Sequence, residues 1–581
     1  TRTTGAIAAA LYQAREADVV DEPFLLVAGD ISGIQDYMYR LIEPEGMKGL
    51  AKRLRGRSLH VAVLSKMAAA HLTDAADLHQ PNVIFSAGGN FASLLANTEG
   101  TRERLETAAQ EIDRWLFDTF EGRLGLALAQ VPIAEHALGD FAGQMRRASE
   151  MLAADKGRRF SRLWGTGELS TVEEASPPGE CPSCGAAMGE DATVCELCEL
   201  TQRIGRALPK AEWLVYSTGD AGLERAAERI DFFGGLRAYL LEGELPSSLH
   251  ETVWRCERLR NSREGLSKLA NGAPLVAVDL ETEEAPVEAG DVASFTHLAQ
   301  AAEGADRMEV LRMDVDRLGM VFGPGLQMRG GPGWGSISRF CTMSRQVDLF
   351  FSAHVDEICS QEAQRWRAEA ETPLTEHLHS PLYVTYAGGD DLFLVGPWSL
   401  IPQVAQRIRD DFRKYVCENP EITISGGCFA CKGMYPIRRA AEAAGAAEQV
   451  SKAQGRDAMT MFGVTAPWER TDGPPGFREL LEFGEWLYAA SVGEGGRLAR
   501  GFIHGLLQLH DRYIDGDEVD WNVMPLLVYQ IERNVPDDLE VRGENARQLL
   551  RARLVADKDA AWLKSIRLPA SYALLKMREG G

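Results

Sequence analysis

Long apolar runs are missing from this sequence. No stretch approaches the roughly 18 residues a membrane-spanning helix needs, and the N-terminal TRTTGAIAAALYQ has no apolar signal core, so a cytoplasmic protein without membrane contact is expected. Basic residues are outnumbered, 62 Lys and Arg against 85 Asp and Glu, and a net charge of −23 excludes a broad phosphate-gripping face. Nucleic acid would have to be held locally or through partner subunits. Cysteine is sparse as well: of 10, six are scattered (Cys256, Cys341, Cys359, Cys417, Cys428 and Cys431), which fits reduced thiols rather than a disulfide framework. What remains is ordinary globular composition over 581 residues, enough for three or four domains.

The stretch around which the rest is organised is PLYVTYAGGDDLFLVGPW, residues 381–398. Alternating apolar residues, a Gly-Gly turn and a second apolar run read as a β-hairpin with Asp390 and Asp391 at its tip. Adjacent carboxylates repel and are stabilised by a cation between them. EVLRMDVDRLG, residues 309–319, reads as a second acidic strand with Asp314 and Asp316 on one face at period two. Asp314, Asp316, Asp390 and Asp391 together make a hard-cation site for Mg²⁺ or Mn²⁺. The surrounding order, β-α-β-β-α-β with an extra α-β, reads as a ferredoxin-like palm. Palms of nucleotidyl cyclases and many polymerases have this plan, with metals aligning a 3′-hydroxyl on an α-phosphate. Lys452 and Arg456 follow at a place suited to a triphosphate.

The same shape occurs earlier. FLLVAGDISGIQDYMY, residues 24–39, and NVIFSAGGNFASLLAN, residues 82–97, match the acidic strand and the hairpin, exposing a diverged internal duplication. Aligned on Gly-Gly, Asn90 and Phe91 stand where the second copy has Asp390 and Asp391, and Ser32 stands near the place of Asp316. The first copy keeps Asp30 but lacks a two-metal carboxylate set. It is either a structural pseudo-copy or a nucleotide-binding partner facing the active palm. Between its halves, Lys48, Lys52, Arg53, Arg55 and Arg57 open a helix, and read as a solvated face or an approach for RNA or a triphosphate.

Cys181, Cys184, Cys195 and Cys198 follow the C-x2-C-x10-C-x2-C pattern of a zinc ribbon, whose closed S4 shell implies a structural Zn²⁺. In the poorly legible stretch from about 206 to 300, AEWLVYS and APLVAVDL read as strands and ERIDFFGGLRAYLLEG as mixed helix and turn. After residue 470 amphipathic helices follow one another without a strand pattern, and His510-Asp511 among them reads as incidental. The fold class is therefore α+β multidomain: an N-terminal segment (1–23), a first palm (24–170), a zinc ribbon and linker domain (171–300), a second, catalytic palm (301–470) and a C-terminal helical bundle (471–581).

GDISGIQDYMY, LRGRSLHVAVL, SAGGNFASLL, the paired Cys-x-x-Cys ribbon, the DVD strand, YAGGDDLFLVG and the helix ending SKAQGRD together resemble the large subunit of type III CRISPR effector complexes, most like the Csm form. The resemblance implies an RNA-guided complex in which target RNA switches on conversion of ATP to cyclic oligoadenylate messengers. Its partners would be the small and guide-end subunits, guide RNA and target RNA. By position, Asp314, Asp390 and Asp391 would bind the metals with Asp316 a neighbour, Gly388 and Gly389 would admit a triphosphate, Lys452 and Arg456 would contact its phosphates, and Ser32 and Asn90 would touch a second nucleotide. Family members commonly begin with an HD nuclease domain that cuts single-stranded DNA. Here about 23 residues precede the first palm and no histidine occurs before His60, so the HD domain is expected to be lacking, either in this lineage or by trimming of the chain, and DNA cleavage by that route is not expected of these residues. A guanylate cyclase-like palm enzyme and a catalytically inactive ribonucleoprotein scaffold are the alternative readings.

Overall fold

The computed structural model describes residues 2–40, 50–164, 179–188, 192–259, 272–280, 287–325, 335–370, 372, 374–470, 473–492, 496–516 and 518–578. Lys48 of the basic run lies outside them.

The first palm is a four-stranded antiparallel sheet. Phe24–Ser32 lies between Asn90–Ala96 and Gly125–Ile133, with Val83–Ala87 on the outer edge. Helices Leu50–Ala75, Glu99–Phe120 and Phe141–Lys156 pack against it. Glu99–Phe120 shows how locally this is specified. Thr98 caps its start by accepting from the Thr101 N–H at 3.0 Å, and Leu105, Ala108, Ile112 and Leu116 recur at helical spacing on the buried face. The N-terminal helix Arg2–Glu16 is part of this domain rather than a separate lead-in. It buries Ala6, Ala10 and Ala14, and Asn82 donates to the Ala6 carbonyl at 3.0 Å.

The second palm repeats the plan and extends it to six strands, ordered Tyr383–Gly388, Asp391–Pro397, Met308–Val315, Ile424–Cys431, Ala458–Met461 and Val464–Pro467. Helix Ile437–Ala453 is the crossover joining the parallel pair Ile424–Cys431 and Ala458–Met461. The duplication reaches irregularities: the register slips between Val83 and Phe85 in one edge strand and between Val384 and Tyr386 in the other. The palms share apolar packing, since Met38, Ala51 and Leu54 of the first lie in one cluster with Tyr383, Phe393 and Ile437 of the second.

Four sequence expectations change. ERIDFFGGLRAYLLEG is a strand pair, Glu228–Asp231 and Arg237–Leu241, within a four-stranded sheet that also holds Trp213–Ser217 and Val253–Arg258. Its turn is made by Gly234 and Gly235, both at positive φ, while Phe232 and Phe233 are buried, so an apolar turn had masked the alternation. APLVAVDL contributes only isolated bridges. Two short hairpins, Ile514–Asp515 with Glu518–Val519 and Glu540–Val541 with Glu544–Asn545, punctuate the C-terminal helices.

The fourth correction concerns the basic run. Arg53, Arg55 and Arg57 are 4%, 2% and 1% exposed, so they form no solvated face. Arg57 donates to the Tyr37 carbonyl at 2.5 Å and lies over the Tyr37 ring, Arg53 donates to Gln202 at 2.7 Å, and Arg55 lies over the Tyr383 ring. Their helix is buried on several sides because helix Glu196–Ala207 crosses it backbone to backbone. A Cβ on Gly56 would sit 1.8 Å from the Thr201 carbonyl oxygen, and one on Gly205 would sit 1.8 Å from that of Lys52. Gly56→Ala and Gly205→Ala are each expected to cost about 1–3 kcal/mol through forced separation of the two helices. A drop in the first thermal unfolding transition checks this, and an exposed-helix control, Gly501→Ala, with nothing within 4 Å of the added Cβ, leaves the transition in place or raises it.

Candidate active site

Each palm ends its inner acidic strand opposite the tip of a glycine hairpin, and the ladder fixes which residues meet. In the first palm Asp30 lies opposite Asn90; in the second, Asp314 lies opposite Asp391. The turns differ by one residue. Ala87 pairs with Asn90 around Gly88 and Gly89, both at positive φ, whereas Gly388 pairs with Asp391 around Gly389, at φ 71°, and Asp390. Counted from the ladder, Asn90 is therefore the counterpart of Asp391, and Gly89 that of Asp390. This corrects the Gly-Gly alignment.

The two tips touch. A Cβ on Gly389 would lie 3.6 Å from the Gly88 nitrogen, and one on Gly88 would lie 3.4 Å from the Tyr386 hydroxyl. Beside this contact is a cavity of about 630 Å³. Asn90, Phe85 and Phe91 wall it on the first-palm side, and Gly389, Asp390 and Phe340 on the other. Helix Phe141–Lys156 adds Arg146 and Ser149, polar lining that sequence reasoning did not find.

Four carboxylates, Asp314, Asp390, Asp391 and Glu448, share two nearby cations. Lys452 Nζ is 2.5 Å from Asp314 Oδ1 and 2.9 Å from Glu448 Oε1, and Arg312 Nε is 3.7 Å from Glu448 Oε2. Burial, then Asp390 and Asp314, push Asp391 up to about 8; burial pushes Asp314 up to about 6 against the pull of Lys452, with Asp390 adding to the rise. Burial raises Asp390 as well. Such a cluster is one that a divalent cation would stabilise in its ionised form. Glu448 was missed in the sequence, although its i, i+4 spacing to Lys452 was a usable signal.

Two expected members stand apart. Asp316 is 2% exposed and accepts from Thr423 Oγ1 at 2.7 Å, Ser425 Oγ at 2.8 Å and the Asp457 N–H at 3.1 Å. Asp316 does not share the face of Asp314, because the strand ends at Val315 and Arg317 turns at φ 53°. Ser32 donates to the Gly125 carbonyl at 3.1 Å and accepts from Arg159 at 2.9 Å, outside the cavity lining. Gly388 lies in the hairpin, its carbonyl accepting from Tyr386 at 2.9 Å. Arg456 follows helix Ile437–Ala453 at φ 68° and is also outside the lining.

The second cluster is sulfur. Ligand atoms of Cys181, Cys184, Cys195 and Cys198 all lie within 4.8 Å of one another, on two turns and the start of helix Glu196–Ala207. Arg57 donates to Cys198 Sγ at 3.6 Å and Arg123 hydrogen-bonds Cys184. Four thiolates around a divalent cation leave two net negative charges, and these two guanidiniums from the first palm suit that donor set.

Two palms meeting hairpin to hairpin, one bearing a carboxylate cluster, define an α+β protein of the two-palm class. Residues 23–174 match the family model of Csm1 subunit domain B, and residues 307–460 that of the second palm domain of Cas10/Cmr2. The CRISPR system single-strand-specific deoxyribonuclease Cas10/Csm1 (subtype III-A) of Thermococcus onnurineus is 28% identical over 579 residues, covering 93% of this chain and 69% of its own length. Its namesake in Mycobacterium tuberculosis is 28% identical over 481 residues, covering 78% of this chain and 56% of its own length. This chain thus spans little more than half of that relative. Among solved structures, a Csm1-Csm4 cassette in complex with one ATP superposes with a TM-score of 0.68 at 24% identity, over 99% of this chain and 74% of that one. A cassette in complex with cA4 gives 0.67 at 22%, over 99% and 73%. Over most of its length the chain is thus similar to Cas10/Csm1 proteins of subtype III-A CRISPR systems. Among the described residues no helix is long and apolar enough to cross a membrane.

Raised carboxyl pKa values keep protons on the folded site at a pH where the unfolded chain has released them. The stability these groups contribute is full below their ordinary values near 3.8 and is lost as pH rises through about 6 and about 8. In cation-free buffer the melting temperature is expected to fall over that window, and Asp391→Asn or added Mg²⁺ to flatten the fall. Glu309, wholly buried and pushed up to about 8 by that burial, contributes a share that cation leaves untouched and Glu309→Gln removes. Melting series at several pH values separate the two.

Proposed function

We propose that this chain is the palm-bearing subunit of an RNA-guided type III effector complex that, on target-RNA binding, converts ATP to cyclic oligoadenylates. The observation that carries this reading is the cluster of Asp314, Asp390 and Asp391 beside a cavity whose opposite wall bears Asn90. The similar Csm1-Csm4 cassettes bound to ATP and cA4 support adenine nucleotides as the ligands.

Asp314, Asp390 and Asp391 would hold Mg²⁺ or Mn²⁺, which supplies Lewis-acid neutralisation of phosphate charge there. The chain's own residues position the reactants. The 3′-hydroxyl of one nucleotide attacks the α-phosphorus of the next: the O3′–P bond forms, the bond to the pyrophosphate oxygen breaks, and the hydroxyl proton passes to solvent. Lys452 and Arg456 offer cations to the triphosphate. Gly389 leaves the backbone open to it, Asn90 offers an amide to the second nucleotide, and Phe85, Phe91 and Phe340 exclude water and present rings to the bases. Asp316 and Ser32, committed to internal hydrogen bonds, take no part.

Cys181, Cys184, Cys195 and Cys198 would hold one structural Zn²⁺. The small and guide-end subunits, guide RNA and target RNA are the partners. With a net charge of −23 the chain relies on other subunits to grip RNA, and exposed Trp521, Leu526 and Tyr529 in the C-terminal bundle offer apolar contact to one of them.

Mass spectrometry of products after mixing the target-bound complex with ATP and Mg²⁺ or Mn²⁺ tests the reaction. Asp390→Ala with Asp391→Ala is expected to lower cyclic oligoadenylate by about 100-fold or more while the complex still assembles. Undiminished product overturns the assignment, and product from GTP alone in a parallel tube replaces adenine. For the ribbon, metal analysis is expected to give about one zinc per chain, lost in Cys184→Ser with Cys198→Ser together with a lower melting temperature.

A further inference from the structure

The two palms share an ion pair that the alignment did not reveal. In the second palm, Lys452 Nζ lies 2.5 Å from Asp314; in the first, Lys156 Nζ lies 2.6 Å from Asp30. The pairs are equivalent by topology. Asp314 and Asp30 end the inner strands opposite Asp391 and Asn90. Helices Ile437–Ala453 and Phe141–Lys156 each follow the strand on the other side of that inner strand, and each lysine lies in the last turn of its helix.

The pairs differ in what surrounds them. Lys156 has one carboxylate partner among the described residues, Asp30, and the residue one helical turn before it is Leu152. The hairpin facing it offers Gly89 and Asn90, which carry no charge. Lys452 has a second carboxylate one turn earlier, Glu448, at 2.9 Å, itself 3% exposed and flanked by Arg312. Its hairpin brings Asp390 and Asp391 to the same place. A second tether for the ammonium thus occurs in the palm with three aspartates and not in the palm with one.

We propose that Lys452 is a built-in counter-ion of the second palm: its ammonium holds Asp314 while no divalent cation is present and withdraws to Glu448 when one binds. In the first palm the same ammonium, Lys156, permanently occupies the cation's place. This deepens the reading given above, since it rests on the aspartates being the cation ligands. A lysine on Asp314 neutralises one charge of a repelling set and occupies an oxygen that a metal needs, so metal and lysine compete. Glu448 keeps the released ammonium at the rim of the site, where a triphosphate arrives.

Mn²⁺ titration of the full chain without nucleotide, read by electron paramagnetic resonance of the free ion, tests the competition. Binding that Asp390→Asn with Asp391→Asn abolishes defines the site; if the wild-type chain shows none, the reading of the aspartates as ligands fails, and with it the inference. Given that site, Lys452→Met is expected to tighten Mn²⁺ by about tenfold. Arg312→Met removes a nearby charge that does not touch Asp314 and is expected to give a clearly smaller gain. Lys156→Met is expected to create no new Mn²⁺ site. Unchanged affinity in Lys452→Met, or a gain no larger than that in Arg312→Met, overturns the counter-ion role while leaving the metal site standing.

Discussion

Repulsion among carboxylates held on adjacent strand ends is the constraint on which the second palm depends. Asp314 and Asp391 face each other across one ladder step, Asp390 occupies the turn, and Glu448 comes up from the crossover helix. A flexible loop would let such groups drift apart. Here a six-stranded sheet with strands on both sides of Met308–Val315 prevents it. The electrostatic cost is met by Lys452 and Arg312 and by protons held above their ordinary range. A site that is unstable when empty is preorganised for a cation.

How much of this was legible in the sequence follows from the range of the interactions involved. The hairpin around Gly389 and the four cysteines are local patterns, each set by turn chemistry or ligand spacing within about 20 residues, the duplication shows as such local patterns recurring in the same order, and the structure holds all three. Asp316 was misjudged because strand periodicity says nothing of where the strand stops, and its carboxylate is claimed by Thr423, Ser425 and Asp457, all over 100 residues away in sequence. The one-residue difference between the hairpin turns was likewise invisible, because both contain Ala-Gly-Gly and only the ladder reveals which glycine is paired. The arginines failed for a third reason. A charge run ordinarily lies in solvent, but Gly56 lets a second helix come close enough to cover these.

The same arginines tie the ribbon to the palm. Arg57 holds the carbonyls of Tyr37 and Arg40 with one end of its guanidinium and Cys198 with the other, while Arg123 reaches Cys184 from the turn before Gly125–Ile133. The ribbon is therefore fastened to the first palm electrostatically as well as by close helix packing.

The shared apolar cluster between the palms limits how this molecule can be controlled. Hinging them apart would return Leu54, Tyr383 and Phe393 to water, at about 1.5–3 kcal/mol for each side chain. Opening of the cleft as a jaw is thus the expensive route. Change at the cleft comes more cheaply as rotamer and loop shifts at the rim, where Arg146 and Met320 are exposed, so the fold is a rigid bivalve whose latch moves more readily than its hinge.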